Sequence, residues 1–228
     1  MQHDPLTIDV VSDVMCPWCY IGKRRLEKAL RELRGEIAVE VHWRPYQLDP
    51  SLPKEGLDRK QYLEGKFGGA EQAEKAYRAV REAGALEGIA FDFEAIKVSA
   101  NTLDAHRLIR WAGSQGADTQ ASMVGILFRM YFEEGRNIGD DGVLMDAAAE
   151  AGLDMSIVGS LISGSADRAE VAHEIDTARQ MGVTGVPCFI LDRKFALVGA
   201  QPAEALVQAI RQVDEDRKKG SPPVSAAG

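Results

Sequence analysis

The chain has few of the residues that build disulfide frameworks or metal sites. Its 228 residues include only three cysteines and four histidines, His3, His42, His106 and His173. Three cysteines are too few to stabilise a secreted domain by disulfides, and the histidines lack the spacing of zinc ligands. We therefore predict neither a disulfide scaffold nor a metal site, and we place the chain in the reducing cytoplasm.

Long apolar runs and clusters of positive charge are also missing. No apolar stretch approaches the roughly 18 residues that a membrane-spanning helix needs. The start of the chain, Met1 to Pro5, lacks the basic and apolar regions of a secretory signal. The formal net charge is −8, without a long basic run. Because phosphate neutralisation dominates nucleic-acid affinity, we expect neither membrane insertion nor binding to DNA or RNA.

The most informative motif is the sequence CPWC at positions 16–19. It follows a β-type run, Leu6 to Ser12, and opens a helical run, Tyr20 to Leu33. The start of a helix presents unpaired N–H groups and the positive end of its dipole, and both favour the thiolate of Cys16. Cys19 lies one turn further on the same face, where it can form a disulfide with Cys16. The motif predicts a redox site, with half of a zinc site or two chance buried cysteines as alternatives.

The two residues between the cysteines fit a helix start. Pro17 suits the first helical position, where its missing N–H would have no partner. Trp18 is neutral and bulky, so it offers no cation to stabilise a thiolate.

The pattern of strands and helices predicts a core interrupted by a long insertion. A second strand over 37–43 should run parallel to the first, because a helix separates them. Strands at 188–191 and 195–198, joined by a three-residue turn, predict a hairpin. A helix over 202–217 follows it. Between these parts, helical runs are predicted at 57–83, 102–112, 121–134, 142–151, 155–162 and 166–181.

This order, β-α-β, then helices, then β-β-α, predicts an α/β fold with a thioredoxin-like core and an inserted all-helical domain. The core comprises 1–56 and 183–217, the insertion 57–182, and a flexible tail 218–228. The charged run from Leu57 to Ala83 is interpreted as a solvated face.

A second motif, GVTGVPC at 182–188, stands just before the hairpin. Together with CPWC and the helical insertion, it resembles the DsbA-like branch of the thioredoxin superfamily. The FrnE-type subgroup, related to 2-hydroxychromene-2-carboxylate isomerase and kappa-class glutathione transferase, is the most similar. The resemblance extends from about Leu6 to Gln212. It includes the segments WRPYQLDP (43–50), NTLDAHR (101–107), YFEEG (131–135), AAEAGLD (148–154) and GAQ (199–201).

The resemblance implies a cis peptide bond between Val186 and Pro187, lying against the cysteine pair. Such a bond turns the Val186 backbone outward, toward an extended peptide or glutathione. For disulfide exchange we expect Cys16 to be the exposed nucleophile and Cys19 the more buried resolving thiol.

Four further residues are candidate substrate-binding positions, and three of them have a structural alternative. Asn101 and His106 border the cleft in similar proteins, but they can instead cap a helix and bond to the backbone, respectively. Cys188 is either a third thiol near the site or a small buried strand residue. Gln201 precedes the last helix, whose N-terminus could bind a glutathione carboxylate. Kappa transferases carry a Ser-Asp pair where this chain has Ala200-Gln201.

The leading interpretation is a cytoplasmic protein-disulfide or dithiol oxidoreductase. Its partners would be protein or small thiols and disulfides, with no bound cofactor and with glutathione as a candidate co-substrate. The chain would act as a monomer or a homodimer. One alternative is a glutathione-dependent isomerase or transferase, although such relatives carry Ser in place of Cys16. Another is a non-catalytic chaperone, which would tolerate the loss of both cysteines.

Overall fold

A computed structural model of the chain describes residues 4–220. It opens with strand β1 (Leu6–Ser12), helix α1 (Pro17–Glu32) and strand β2 (Val39–Pro45). The two strands are parallel, with Leu6 opposite Val39. The predicted β-α-β unit is therefore confirmed, because parallel neighbours require such a crossover.

The segment between β2 and the last two strands contains seven helices and two very short strands. These are β3 (Leu57–Asp58), α2 (Arg59–Phe67), α3 (Ala70–Leu86), β4 (Val98–Ser99), α4 (Leu103–Gly113), α5 (Ala117–Phe132), α6 (Asp141–Glu150), α7 (Met155–Ile162) and α8 (Arg168–Gln180).

The insertion differs from the expected all-helical domain in two ways. β3 and β4 form an antiparallel pair, in which Leu57 lies opposite Ser99. Strands of two residues are too short to produce a periodic pattern, so the sequence did not reveal them. The single helix predicted over 57–83 is two helices, separated by Gly68 and Gly69 with φ of 78° and 132°. Positive φ at two successive residues ends a helix, and glycine tolerates it.

The chain returns to the sheet through strand β5 (Cys188–Leu191) and strand β6 (Phe195–Val198), and it ends with helix α9 (Ala203–Gly220). β5 is antiparallel to both β1 and β6, so the predicted hairpin is confirmed and the strand order is β2-β1-β5-β6. Helix α9 continues three residues beyond the predicted end at Arg217, into the expected flexible tail. Residues 221–228 of that tail lie outside the described part of the chain.

One hydrophobic core connects the sheet with the insertion. Buried residues of β1, α1, α5 and α9 belong to the same cluster, including Ile8, Leu127 and Ile210. The ring of Tyr20 in α1 stacks on Phe128 in α5, with centroids 5.0 Å apart. The insertion is therefore held firmly over the start of α1, where the CPWC motif lies.

Within residues 4–220, no helix is both long enough and apolar enough to cross a membrane.

Candidate active site

The loop after β1 places Cys16 directly before α1. The backbone of Cys16 is extended, and Pro17 takes the first helical position, as expected. The Cys16 N–H donates to the carbonyl of Asp13 at 2.9 Å. Its thiol faces the carbonyl oxygen of Val186 at 3.8 Å. The Cys16 sulfur thus lies between the N-terminus of α1 and the loop before β5.

The Val186–Pro187 peptide bond of that loop is cis. Pro187 lies against Gly22 of α1, where an added Cβ would be 2.9 Å from the proline Cγ. The Pro187 carbonyl accepts a 2.7 Å hydrogen bond from Gly199 N–H. Among residues 4–220 no group accepts the N–H of Val186. This donor is therefore free to pair with an extended ligand next to Cys16.

Cys19 occupies the next turn of α1 and is only 1% exposed. Burial raises its pKa well above the usual value, and the neighbouring Cys16 raises it further. All three cysteines are free thiols in the structure. Because its pKa is raised, Cys19 is a protonated thiol at neutral pH.

Cys16 is less exposed than expected. The residue is only 5% exposed, because the insertion covers the start of α1. It lines a cavity of about 310 Å³. One side of this cavity is formed by the CPWC loop and Val186, and the other by residues of α2 and α3, among them Arg59, Tyr62, Lys66, Phe67 and Tyr77. The expectation that the run 57–83 is only a solvated face is therefore wrong.

Arg59 is the most deeply buried charge of this wall, at 5% exposure. Its two terminal nitrogens donate to the hydroxyls of Tyr131 at 3.0 Å and Tyr77 at 2.9 Å. Its guanidinium also lies within 6 Å of the rings of Tyr77, Phe93 and Tyr131. Burial raises the pKa of Tyr131 to about 12, so this hydroxyl stays neutral. Aromatic residues at 62, 67 and 77 within a charged run were the available sequence signal for this wall.

Asp13 supports the CPWC loop from inside and was not identified from the sequence. Its side chain is fully buried. It accepts hydrogen bonds from the backbone N–H of Leu48 at 2.8 Å and of Met15 at 3.3 Å. It thereby ties the loop of the cysteines to the segment that follows β2.

The structure places Asn101 and His106 away from the Cys16 cavity. Asn101 Oδ1 accepts from Leu103 N–H at 3.0 Å, but the N-cap residue of α4 is Thr102 and not Asn101. His106 is buried, and its Nε2 donates to the carbonyl of Tyr46 at 2.8 Å. The same nitrogen lies 3.6 Å from a carboxylate oxygen of Asp13. His106 thus has the backbone partner that was its alternative to substrate binding, whereas Asn101 lies one residue before the N-cap position that was expected for it.

Cys188 and Gln201 are not brought to the cavity either. Cys188 belongs to a separate apolar cluster with Val11 and Tyr46, whereas its neighbour Phe189 lies in the main core with both CPWC cysteines. Successive strand residues face opposite sides of a sheet, so Cys188 points away from the pair. The Gln201 side chain donates to the carbonyl of Val198 at 2.6 Å.

Comparison with known proteins supports the sequence resemblance. A model of the DSBA-like thioredoxin domain matches residues 7–211. The protein is 28% identical over 221 residues to "Uncharacterized protein YwbO" of Bacillus subtilis (strain 168), covering 93% of this chain and 98% of that protein.

Two solved structures show the same fold. The crystal structure of probable DsbA oxidoreductase SCO1869 from Streptomyces coelicolor is 33% identical, with a TM-score of 0.83 over 97% of this chain and 94% of that one. A 2-hydroxychromene-2-carboxylate isomerase is 16% identical, with a TM-score of 0.71 over 95% and 100% of the two chains. The second similarity concerns the fold alone.

Proposed function

Because the chain belongs to the DSBA-like thioredoxin domain family, we propose that it is a thiol–disulfide oxidoreductase that works through Cys16 and Cys19. One observation carries this proposal. The Cys16 sulfur stands at the N-terminus of α1 and faces Val186, with the protonated Cys19 thiol one turn behind it. A helix N-terminus stabilises a thiolate, and a nearby second thiol can resolve a mixed disulfide.

In the proposed oxidation of a substrate, a substrate thiolate attacks the Cys16 sulfur of the Cys16–Cys19 disulfide. The bond between the two cysteines breaks, and its electron pair leaves with the Cys19 sulfur, which takes up a proton. A second substrate thiolate then attacks the substrate sulfur of the mixed disulfide. Oxidised substrate leaves together with the Cys16 thiolate, so two substrate thiols have reduced one enzyme disulfide. Reduction of a substrate is the reverse sequence.

The neighbouring residues have supporting roles in this proposal. The free Val186 N–H pairs with the substrate backbone, and Pro187 fixes the Val186 loop against Gly22. Pro17 starts the helix, and Trp18 stands partly exposed at the rim of the cavity.

We also propose the FrnE-type subgroup for this chain, on its CPWC and GVTGVP motifs, and the cytoplasm as its location. Three cysteines, two of them in the CPWC motif, suit a reducing compartment. Protein and small thiols are the proposed substrates, without a bound cofactor and with glutathione as co-substrate. The active form would be a monomer or a homodimer, which light scattering after size exclusion distinguishes.

The decisive experiment is a redox titration of the Cys16–Cys19 pair in glutathione buffers, followed by mass and tryptophan fluorescence. A reversible two-electron transition is expected. A potential of about −120 mV indicates an oxidant, and one of about −270 mV a reductant. A stable glutathione adduct on Cys16, without an internal disulfide, would favour a glutathione-dependent isomerase or transferase instead.

Three variants complete this test. Cys16→Ser should abolish exchange, and Cys19→Ser should accumulate mixed disulfides with the substrate. Cys188→Ala is the matched control, because this third buried cysteine faces away from the pair and should leave the potential unchanged. Normal turnover by Cys16→Ser would rule the proposal out.

A further inference from the structure

The cavity in front of Cys16 is lined by positive charge. Its described lining contains two cations, Arg59 and Lys66, and no carboxylate. The chain as a whole has a formal net charge of −8. A positive cavity in an acidic protein raises the local concentration of anions at that point.

Of the two cations, Arg59 gives the stronger indication of an anion site. It is 95% buried, and within the described residues it forms no ion pair with a carboxylate. Its partners are two tyrosine hydroxyls, which are neutral. A buried cation normally requires a negative partner, because removing it from water without one is costly. Two aromatic partners hold the guanidinium in place before any ligand arrives, so little entropy would be lost on binding.

Lys66 adds a second, exposed charge at the same cavity. Its amine donates to the Tyr62 hydroxyl at 3.1 Å, and no described carboxylate forms an ion pair with it. The hydrogen bonds from Ser51 and the charge of Lys66 lower the pKa of Asp49, so Asp49 offsets part of the Lys66 charge, but it does not line the cavity. The second nearby acid, Asp13, is engaged by two backbone N–H groups.

We propose that this cavity selects small thiols and disulfides that carry a carboxylate, which Arg59 and Lys66 bind while the sulfur reaches Cys16. This inference rests on the proposed disulfide exchange and names its substrate class. The cavity volume, about 310 Å³, is at the lower end of the range for small-molecule sites. Apolar residues such as Leu48, Phe67 and Val80 form the rest of the wall and would contact the carbon skeleton of the ligand.

The chemical step is the one described above, with a defined thiol as reductant. The thiolate attacks Cys16 of the enzyme disulfide, and the electron pair of the broken bond leaves on Cys19. A second molecule of the same thiol releases the symmetric disulfide. The carboxylate takes no part in bond making, so its charge changes binding and leaves the reaction unaltered.

The test compares 3-mercaptopropionate with its methyl ester, which has the same skeleton without the charge. Stopped-flow tryptophan fluorescence measures the rate at which each thiol reduces the oxidised enzyme. This rate is divided by the rate at which the same thiol reduces 2-hydroxyethyl disulfide. This division removes differences in thiol reactivity. We expect a corrected preference of about tenfold for the anion, the size expected for one charge-assisted hydrogen bond, and a smaller preference at high salt.

Arg59→Met should remove most of this preference, and Lys66→Met should remove part of it. The matched control is Arg81→Met. Arg81 packs on the same Phe93 ring, but it is paired with Glu74 and Glu94 and lies outside the Cys16 cavity. Its replacement should leave the preference unchanged. Because Lys66 is exposed, Lys66→Met keeps the test informative even where Arg59→Met does not fold.

Two outcomes would overturn the inference. Equal corrected rates for the two thiols in the wild-type protein would show that charge is not recognised. An equal loss of both rates in Arg59→Met would show that Arg59 acts on Cys16 and not on the substrate. Failure of every thiol to reduce the Cys16–Cys19 disulfide would instead contradict the proposed function itself, and the inference with it.

Discussion

Cys16 and Cys19 are one helical turn apart, yet their surroundings differ. Cys16 lines the cavity, whereas Cys19 is enclosed by the core and its pKa is raised by that burial. The difference supports the proposed roles, because a ligand in the cavity reaches Cys16 and not Cys19. Gly22 of α1 lies against Pro187, and this close contact sets the distance between the Val186 loop and Cys16.

Gly22→Ala should impair both stability and exchange. Its Cβ would lie 2.9 Å from Pro187 Cγ and 3.2 Å from the ring of Phe189, both buried and closely packed. We expect a loss of about 1–3 kcal/mol in the free energy of unfolding, since overpacking outweighs the gain in helix propensity. Exchange by the folded protein should slow, because Pro187 is displaced relative to Cys16. Urea unfolding and a thiol-exchange assay measure the two effects.

Gly65→Ala is the control for this substitution. Gly65 lies within α2, and no atom lies within 4 Å of the added Cβ. Alanine there should stabilise the protein by up to about 1 kcal/mol, because only helix propensity changes. Wild-type stability and exchange in Gly22→Ala would show that the contact with Pro187 does not position the loop.

At the scale of elements, the wall of the cavity depends on how α3 is held against α1. Glu87, the residue after α3, pairs with Arg25 at 2.8 Å and with Lys28, both in α1. The Glu87 side chain is 8% exposed. Burial alone would raise the pKa of Glu87, but Lys28 and Arg25 outweigh it and lower the pKa. The three charges therefore fasten the C-terminal end of α3 to the helix that begins at the CPWC motif.

Glu87→Gln should cost about 1–2 kcal/mol of unfolding free energy at pH 7, as expected for a partly buried ion pair. Because the folded-state pKa is below the unfolded value of about 4.3, the ionised carboxylate stabilises the fold above that pH. The difference between wild type and variant should shrink as the pH falls through the folded-state pKa. Glu74→Gln, an exposed carboxylate on α3, should change stability little. A pH-independent difference would contradict the ion-pair account.

The sequence predicts the elements of this fold well where local chemistry marks their ends. β1, β5, β6 and α7 have the predicted bounds. A β-branched run marks β1, a polar turn at 192–194 separates the apolar runs of β5 and β6, and Asp154 caps α7. The cavity wall is different. Arg59 is buried because it reaches Tyr131, 72 residues later in the chain, and no periodic pattern records such a contact. The CPWC motif was identified because its whole signal lies in four adjacent residues.

At the scale of the whole molecule, the insertion and the sheet form one body. The main hydrophobic cluster extends from Leu6 in β1 to Leu144 in α6 and Ile210 in α9. An insertion with a separate core could open or unfold by itself, and the cavity at Cys16 would then change shape. A shared core couples the stability of the wall to that of the CPWC loop.

The shared core predicts a single unfolding transition. Hydrogen exchange measured by mass spectrometry across a urea series should give the same midpoint for peptides from β1 and from α5. Phe128→Ala removes the ring that stacks on Tyr20, so it should lower the unfolding free energy by about 3–5 kcal/mol and shift both midpoints equally. Leu86→Ala, at a side chain that is 78% exposed, should shift neither. If α5 lost its protection from exchange at a lower urea concentration than β1, the insertion would unfold independently of the sheet. The wall carrying Arg59 and Tyr77 could then open without unfolding the cysteine pair.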